Sequence, residues 1–160
     1  MPHITIEHVI LLPLLFAQIL VFPLAASIMA SSWVDARRDA ALQGVASHLA
    51  STIQQLYLSV NREEIVAGNI TQVLTLSPTI ESYPYTAVGK LSDPLDSDSS
   101  RVLTLTLRLE KAGNTETATA LLGSNARWGG GTFLSTSPDA SIGVQKFVNG
   151  TLLFFFEGGY

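Results

Sequence analysis

His8–Val34 reads HVILLPLLFAQILVFPLAASIMASSWV, 27 residues without Asp, Glu, Lys or Arg. The hydrocarbon core of a bilayer needs about 20 apolar residues in helical form, so this segment is long enough to span one. It is too long for the core of a secretory signal peptide, and no clear small-x-small cleavage site follows it. The amino-terminal flank, MPHITIE, has no Lys or Arg, whereas the other flank carries Asp35, Arg37, Arg38 and Asp39. By the positive-inside rule the Arg37–Arg38 pair would place the carboxy-terminal side inside the cell. The alternative is that a basic leader has already been removed.

Two environments suit such a segment. One is a bilayer, with the segment as a plain anchor. The other is the bilayer first and the core of a protein assembly later. Pro13 and Pro23 lie inside it. Each removes a helix hydrogen bond and is expected to bend or locally melt the helix. A bilayer tolerates this only where neighbouring protein or local rearrangement satisfies the freed carbonyl groups. The prolines therefore favour a packed protein environment.

No proline interrupts the chain from Val34 to Val66. Leu42, Ala46, Leu49, Ile53, Leu56 and Val60 recur at spacings of 4, 3, 4, 3 and 4, the stripe of an amphipathic helix. Gln43, His48, Gln54, Gln55, Asn61 and Arg62 lie between them. Gly44 weakens the pattern by up to about 1 kcal/mol relative to Ala. Gly68, followed by Asn69, is the expected stop. One helix from Ile4 to Ala67 would be about 95 Å long, wider than any globule of this size. Its first half is expected to stand clear of the domain and to be covered by lipid or by other copies of the chain.

Beyond Gly68 the apolar period changes to two. Arg101–Glu110 places Leu103, Leu105, Leu107 and Leu109 on one face, with Thr104, Thr106 and Arg108 on the other. That alternation marks a half-buried antiparallel strand. Ala112-Gly113-Asn114 is a turn, and Thr115–Leu122 the return strand. Ser141–Val148, Asn149-Gly150 and Thr151–Glu157 read as a hairpin, with Asn-Gly suited to a type I′ turn. Ile70–Leu76, Tyr83–Val88 and Thr132–Ser135 are weaker strands. Seven short strands with frequent turns suggest a small sandwich or curled sheet. In Leu152-Leu153-Phe154-Phe155-Phe156 the alternation breaks, so this strand is expected to be central, with both faces covered. Phe154 and Phe156 should share one face and Phe155 the other, with Leu49, Ile53, Leu56 and Val60 as the helix side of the packing.

The whole chain has 160 residues, net charge −4 and 14% charged residues, against about 25% in typical soluble domains. Mean hydropathy is +0.33. The chain is too apolar for disorder and not basic enough for general nucleic-acid binding. With no cysteine, disulfide scaffolds, thiolate metal sites and cysteine nucleophiles are excluded. The three histidines, His3, His8 and His48, supply no metal pair inside the domain and no triad. The expectation is a protein without catalytic residues, metal or cofactor.

The acidic run Asp93-Pro94-Leu95-Asp96-Ser97-Asp98 lacks the glycine and terminal glutamate of an EF-hand and reads as a solvated loop. Gly129-Gly130-Gly131, after Arg127-Trp128, lacks the ending of a phosphate loop and reads as a flexible turn. Asn69-Ile70-Thr71 and Asn149-Gly150-Thr151 are glycosylation sequons, making Asn69 and Asn149 candidate acceptors if the domain is outside the cell.

A long helix, apolar then amphipathic, followed by a small β domain with Ser- and Thr-rich faces, resembles a type IV pilin-like subunit. Low charge and the absence of Cys look most like archaeal pilins and archaellins. The resemblance implies an α+β chain, with a long N-terminal hydrophobic-then-amphipathic helix and a small antiparallel β-sandwich-like domain. Residues 1–68 would be the helix, with 4–34 as filament core or membrane segment and 35–68 packing on the sheet. Residues 69–160 would be the β domain. Ile10, Leu14, Val21, Leu24 and Ile28 would line the polymerisation core. Partners would be copies of the same chain, the membrane before assembly, and a prepilin peptidase with its assembly machinery. In bacterial pilins a glutamate at the fifth mature position pairs with a neighbour's terminal amine. Glu7 of Ile4-Thr5-Ile6-Glu7 would hold that place if the mature chain began at His3. The expected function is a structural subunit of an extracellular surface filament, for adhesion or attachment. A membrane-anchored β-domain binding protein that does not polymerise is the alternative.

Overall fold

The computed structural model describes the backbone of residues 3–93 and 99–158, and side chains from Leu11 onward. Helix α1 runs from His3 to Val60. Eight strands follow: β1 (Gly68–Val73), β2 (Tyr85–Leu91), β3 (Arg101–Leu109), β4 (Thr115–Leu122), β5 (Ala126–Trp128), β6 (Thr132–Leu134), β7 (Ser141–Lys146) and β8 (Leu152–Glu157). They form two four-stranded sheets, ordered β1-β7-β8-β5 and β4-β3-β2-β6. Every pairing is antiparallel except β5 with β8. The chain is α+β.

The chain divides into two compact units, Met1–Arg37 and Arg38–Tyr160. The boundary falls inside α1. Residues 38–60 belong with the sheets because their apolar stripe is core. Leu42, Ala46, Leu49, Ile53, Leu56 and Val60 are all buried. They join Leu103, Leu105, Leu107 and Leu109 of β3 and Phe154 and Phe156 of β8 in one cluster. Ring contacts tie the layers together. Tyr57 of α1 meets Phe154 at 6.5 Å, Phe156 meets Phe133 of β6 at 5.8 Å, and Trp128 of β5 meets Phe156 edge-on at 5.0 Å. Offset and edge-on aromatic pairs of this kind add about 0.5–1.5 kcal/mol each to their area burial.

The helix stops at Val60, short of the Gly68 signal. The terminating group is supplied from far along the chain. Buried Lys146 of β7 donates its Nζ to the carbonyl oxygens of Val60 at 3.0 Å and Arg62 at 2.7 Å. Carbonyls at a helix end lack intrahelical donors, and a cation is the favoured partner there. A ring of side-chain bonds braces the same end. Tyr57 donates to Asn125 Oδ1, Asn61 to Tyr57 Oη, and Asn125 to Asn61 Oδ1 and to the Gly150 carbonyl. Gly68 then opens β1 opposite Lys146.

Three expectations about turns and strands change. β5 was not among the seven expected strands. It is only three residues long, and its parallel pairing to β8 joins segments distant in sequence. The triple glycine after it continues that pairing, since Gly129 N–H donates to Phe154 O and Phe156 N–H to Gly130 O. It is therefore pinned to β8 and is not a free turn. At the Asn149-Gly150 hairpin only Gly150 has a positive φ, 82°. Gly150 N–H donates to Phe147 O and Phe147 N–H to Thr151 O, which is a type I turn closed by a glycine bulge. The type I′ geometry appears instead at Glu81-Ser82, with φ of 48° and 71° and two bonds between Ile80 and Tyr83.

β8 is an interior strand, between β7 and β5. Phe154 and Phe156 are buried on its inner face, and that one face meets both the helix and the second sheet. Phe155, expected to be buried in helix–sheet packing, is half-buried on the outer face. Its ring lies across Gly143 of β7, where any side chain would collide with it. The neighbouring glycine shelters this phenylalanine, not the helix.

Candidate functional site

The sequence points to the apolar first part of α1 as the functional surface. Helical assignment is unbroken through Pro13 and Pro23, so neither proline melts the helix as expected. Each still removes one donor, which leaves the carbonyl of Ile19, four residues before Pro23, without its usual partner. Leu14, Val21, Leu24 and Ile28 are 56%, 60%, 65% and 61% exposed. At 100° per residue they fall within an arc of about 80°, one stripe of the helix. Ile10 and Glu7 lie on α1, but their side chains are outside the described residues.

The stripe is not the only apolar face. Leu12, Leu15, Phe16, Leu20, Phe22 and Met29 are exposed as well, so apolar side chains surround this part of α1. A helix that is apolar all round is buried all round in its working state, by protein or by lipid. Leu14, Ala17, Gln18, Val21 and Phe22 enclose a shallow hollow of about 180 Å³. It forms because the small Ala17 lies among larger neighbours at helical spacing, the shape that accepts a knob from a second helix. Ser31, nearer the end, returns its hydroxyl to the Ile28 carbonyl at 2.9 Å and so presents little free polarity. By length and composition α1 can cross a membrane.

The remaining expected positions are scattered over the domain. Leu49, Ile53, Leu56, Val60, Phe154 and Phe156 come together in its core. Asn69 is exposed on edge strand β1, opposite Gln145. Asn149 is exposed in the β7–β8 turn, its Oδ1 accepting from Thr151 N–H at 3.1 Å. Of the acidic run, Pro94–Asp98 lie outside the described residues. Among the described residues no three His, Asp or Glu gather closely enough to hold a metal ion.

Among the described residues, Tyr85 is the ionisable group with a clear shift. Burial raises its pKa from 10.0 to about 12, and its hydroxyl donates to the Ser77 carbonyl at 3.0 Å. A phenol held neutral inside the core and bonded to backbone is a structural group. Lys146 had no signal in the sequence as a helix terminator. A lysine in a strand becomes informative only when its distance to a helix end is known. Comparison with protein-family models, with curated proteins and with solved structures found no match to this chain.

Proposed function

We propose that the chain is the structural subunit of a helical extracellular cell-surface filament of the type IV pilin-like kind, polymerising through residues 8–34. The observation that carries this reading is a helix segment with apolar residues exposed on every side, in a chain whose β domain fills its own core with residues 42–60. The apolar segment then takes its cover from other copies. Removing apolar surface from water yields about 25 cal/mol per Å², so bundling such segments is a strong driving force for assembly. Adhesion or surface attachment is the proposed role. Copies of the same chain, a prepilin peptidase with its assembly machinery, and the membrane before assembly are the proposed partners. Asn69 and Asn149 are the proposed glycan acceptors.

The length of α1 also fits a single membrane span, the basis of the competing reading as an anchored, non-polymerising binding protein. Negative-stain microscopy of material sheared from cells separates the two. Filaments containing this chain are expected. Recovery of the chain only in the membrane pellet, with no filaments, would favour the anchor.

A further inference from the structure

A second surface lies within residues 38–160, at the seam where the edge of one sheet meets the other. Lys90 of β2, Arg101 of β3, and Arg127 and Trp128 of β5 line an open cleft of about 310 Å³. Three of the chain's nine Lys and Arg gather there, in a protein of net charge −4. Asp93 is on the lining as well, so the described residues of the cleft carry three cations to one carboxylate. None of the three cations is held in an ion pair among the described residues.

Each group is placed by the fold. Arg101 is half-buried, and its Nε is buried without a hydrogen-bond partner. Arg127 is oriented by bonds from Nη1 to the Ser124 and Ala126 carbonyls, at 3.2 and 3.1 Å. Those carbonyls position the guanidinium and leave its charge intact. Trp128 is half-buried. Its indole packs on the backbone of Gly89, where any side chain would collide with it, and meets Phe156 edge-on. The indole is therefore a fixed apolar plate beside three cations.

A flat apolar surface next to Arg and Lys donors matches one ligand chemistry well: a ring with an apolar face and a carboxylate at its edge. Arg recognises carboxylates with paired donors, and the open shape admits a polymer passing through. We propose that this cleft binds an acidic polysaccharide, with Trp128 under a uronic acid ring and Arg101, Arg127 and Lys90 on its carboxylate. The site lies wholly in the domain, so it stands whether or not the chain polymerises.

The test uses the full chain in non-ionic detergent, carrying Trp33→Phe so that Trp128 is its sole tryptophan. A tetramer of galacturonic acid is titrated against Trp128 fluorescence and by calorimetry. A neutral glucose tetramer and inorganic sulfate serve as comparisons. Saturable binding of the acidic tetramer in the millimolar range or tighter is expected, with at least tenfold weaker binding of both comparisons. Arg101→Gln and Arg127→Gln should each weaken binding about tenfold or more, the size of a lost charged hydrogen bond. Lys90→Gln should weaken it less, and Arg108→Gln, away from the cleft, should leave it unchanged. Far-ultraviolet circular dichroism checks that every variant is folded. No binding of the acidic tetramer would overturn the proposal. So would equal binding of the neutral tetramer or of sulfate, or unchanged affinity in folded Arg101→Gln and Arg127→Gln.

Discussion

Leu24 and Leu49 sit on the same continuous helix, yet Leu24 is 65% exposed and Leu49 is fully buried. The residue type is identical and the backbone is the same. What differs is the pattern around each. Leu49 belongs to a stripe with polar residues on the opposite face, so a single sheet-facing contact satisfies it. Leu24 belongs to a segment that is apolar on all sides, and no one-sided contact can cover such a helix. One half of α1 completes its burial within the chain. The other half leaves that burial to lipid or to further copies.

Damage to the two halves should therefore separate cleanly. Val21→Asp or Leu24→Asp should abolish filament assembly while the β domain keeps its melting temperature. A charge inside an apolar bundle costs several kcal/mol at every repeat of the subunit. Normal filaments from both variants, seen by negative stain, would erase the distinction.

The reverse damage comes next. Phe154→Ala should cost about 3–5 kcal/mol, as for other fully buried phenylalanines, and lower the melting temperature markedly. Phe155→Ala should cost clearly less, because its ring is half-exposed over Gly143. Equal losses from the two, measured by thermal unfolding, would mean that the outer face of β8 is covered after all.

A smaller effect follows from Tyr85. Its folded pKa, about 12, lies above its ordinary value of 10.0, so the native state holds the proton more tightly than the unfolded chain. Its contribution is fully present below pH 10 and is lost as the pH rises towards 12, by about 3 kcal/mol at most. Tyr85→Phe should remove this component of the alkaline slope. Chemical denaturation at several pH values measures it, and an unchanged slope would refute the burial argument.

The smallest effect is expected where the helix first meets the β domain's own surface. Arg38 pairs with Glu81 at 2.9 Å and its guanidinium lies 4.9 Å from the centre of the Tyr83 ring. Glu81→Gln should cost less than about 1 kcal/mol, because partly exposed ion pairs are screened. A larger loss would indicate that this pair also restrains the positive-φ turn at Glu81-Ser82.

Much of this arrangement was legible in the residues, because it rests on periodicity. The charge-free run His8–Val34, the stripe from Leu42 to Val60 and the alternating leucines of β3 each repeat a local rule over enough residues to be read directly. The expectation that Phe154 and Phe156 share a face apart from Phe155 is the same kind of inference. The candidate cleft was out of reach, since Lys90, Arg101 and Arg127 belong to three strands in two sheets and share no local spacing.

Sequence by itself determined which residues seek burial, and over what period, since side-chain direction along a helix or strand is a property of local backbone geometry. Tertiary structure decided where the elements stop and what covers them. The end of α1 at Val60 is capped by Lys146, supplied by a strand remote in sequence, through the Val60 and Arg62 carbonyls. β5 exists because β8 offers it a parallel edge. Phe155 is sheltered by the absence of a side chain at Gly143. Each outcome depends on a partner distant along the chain, and such partners are brought within reach only when the chain closes its loops around a common core.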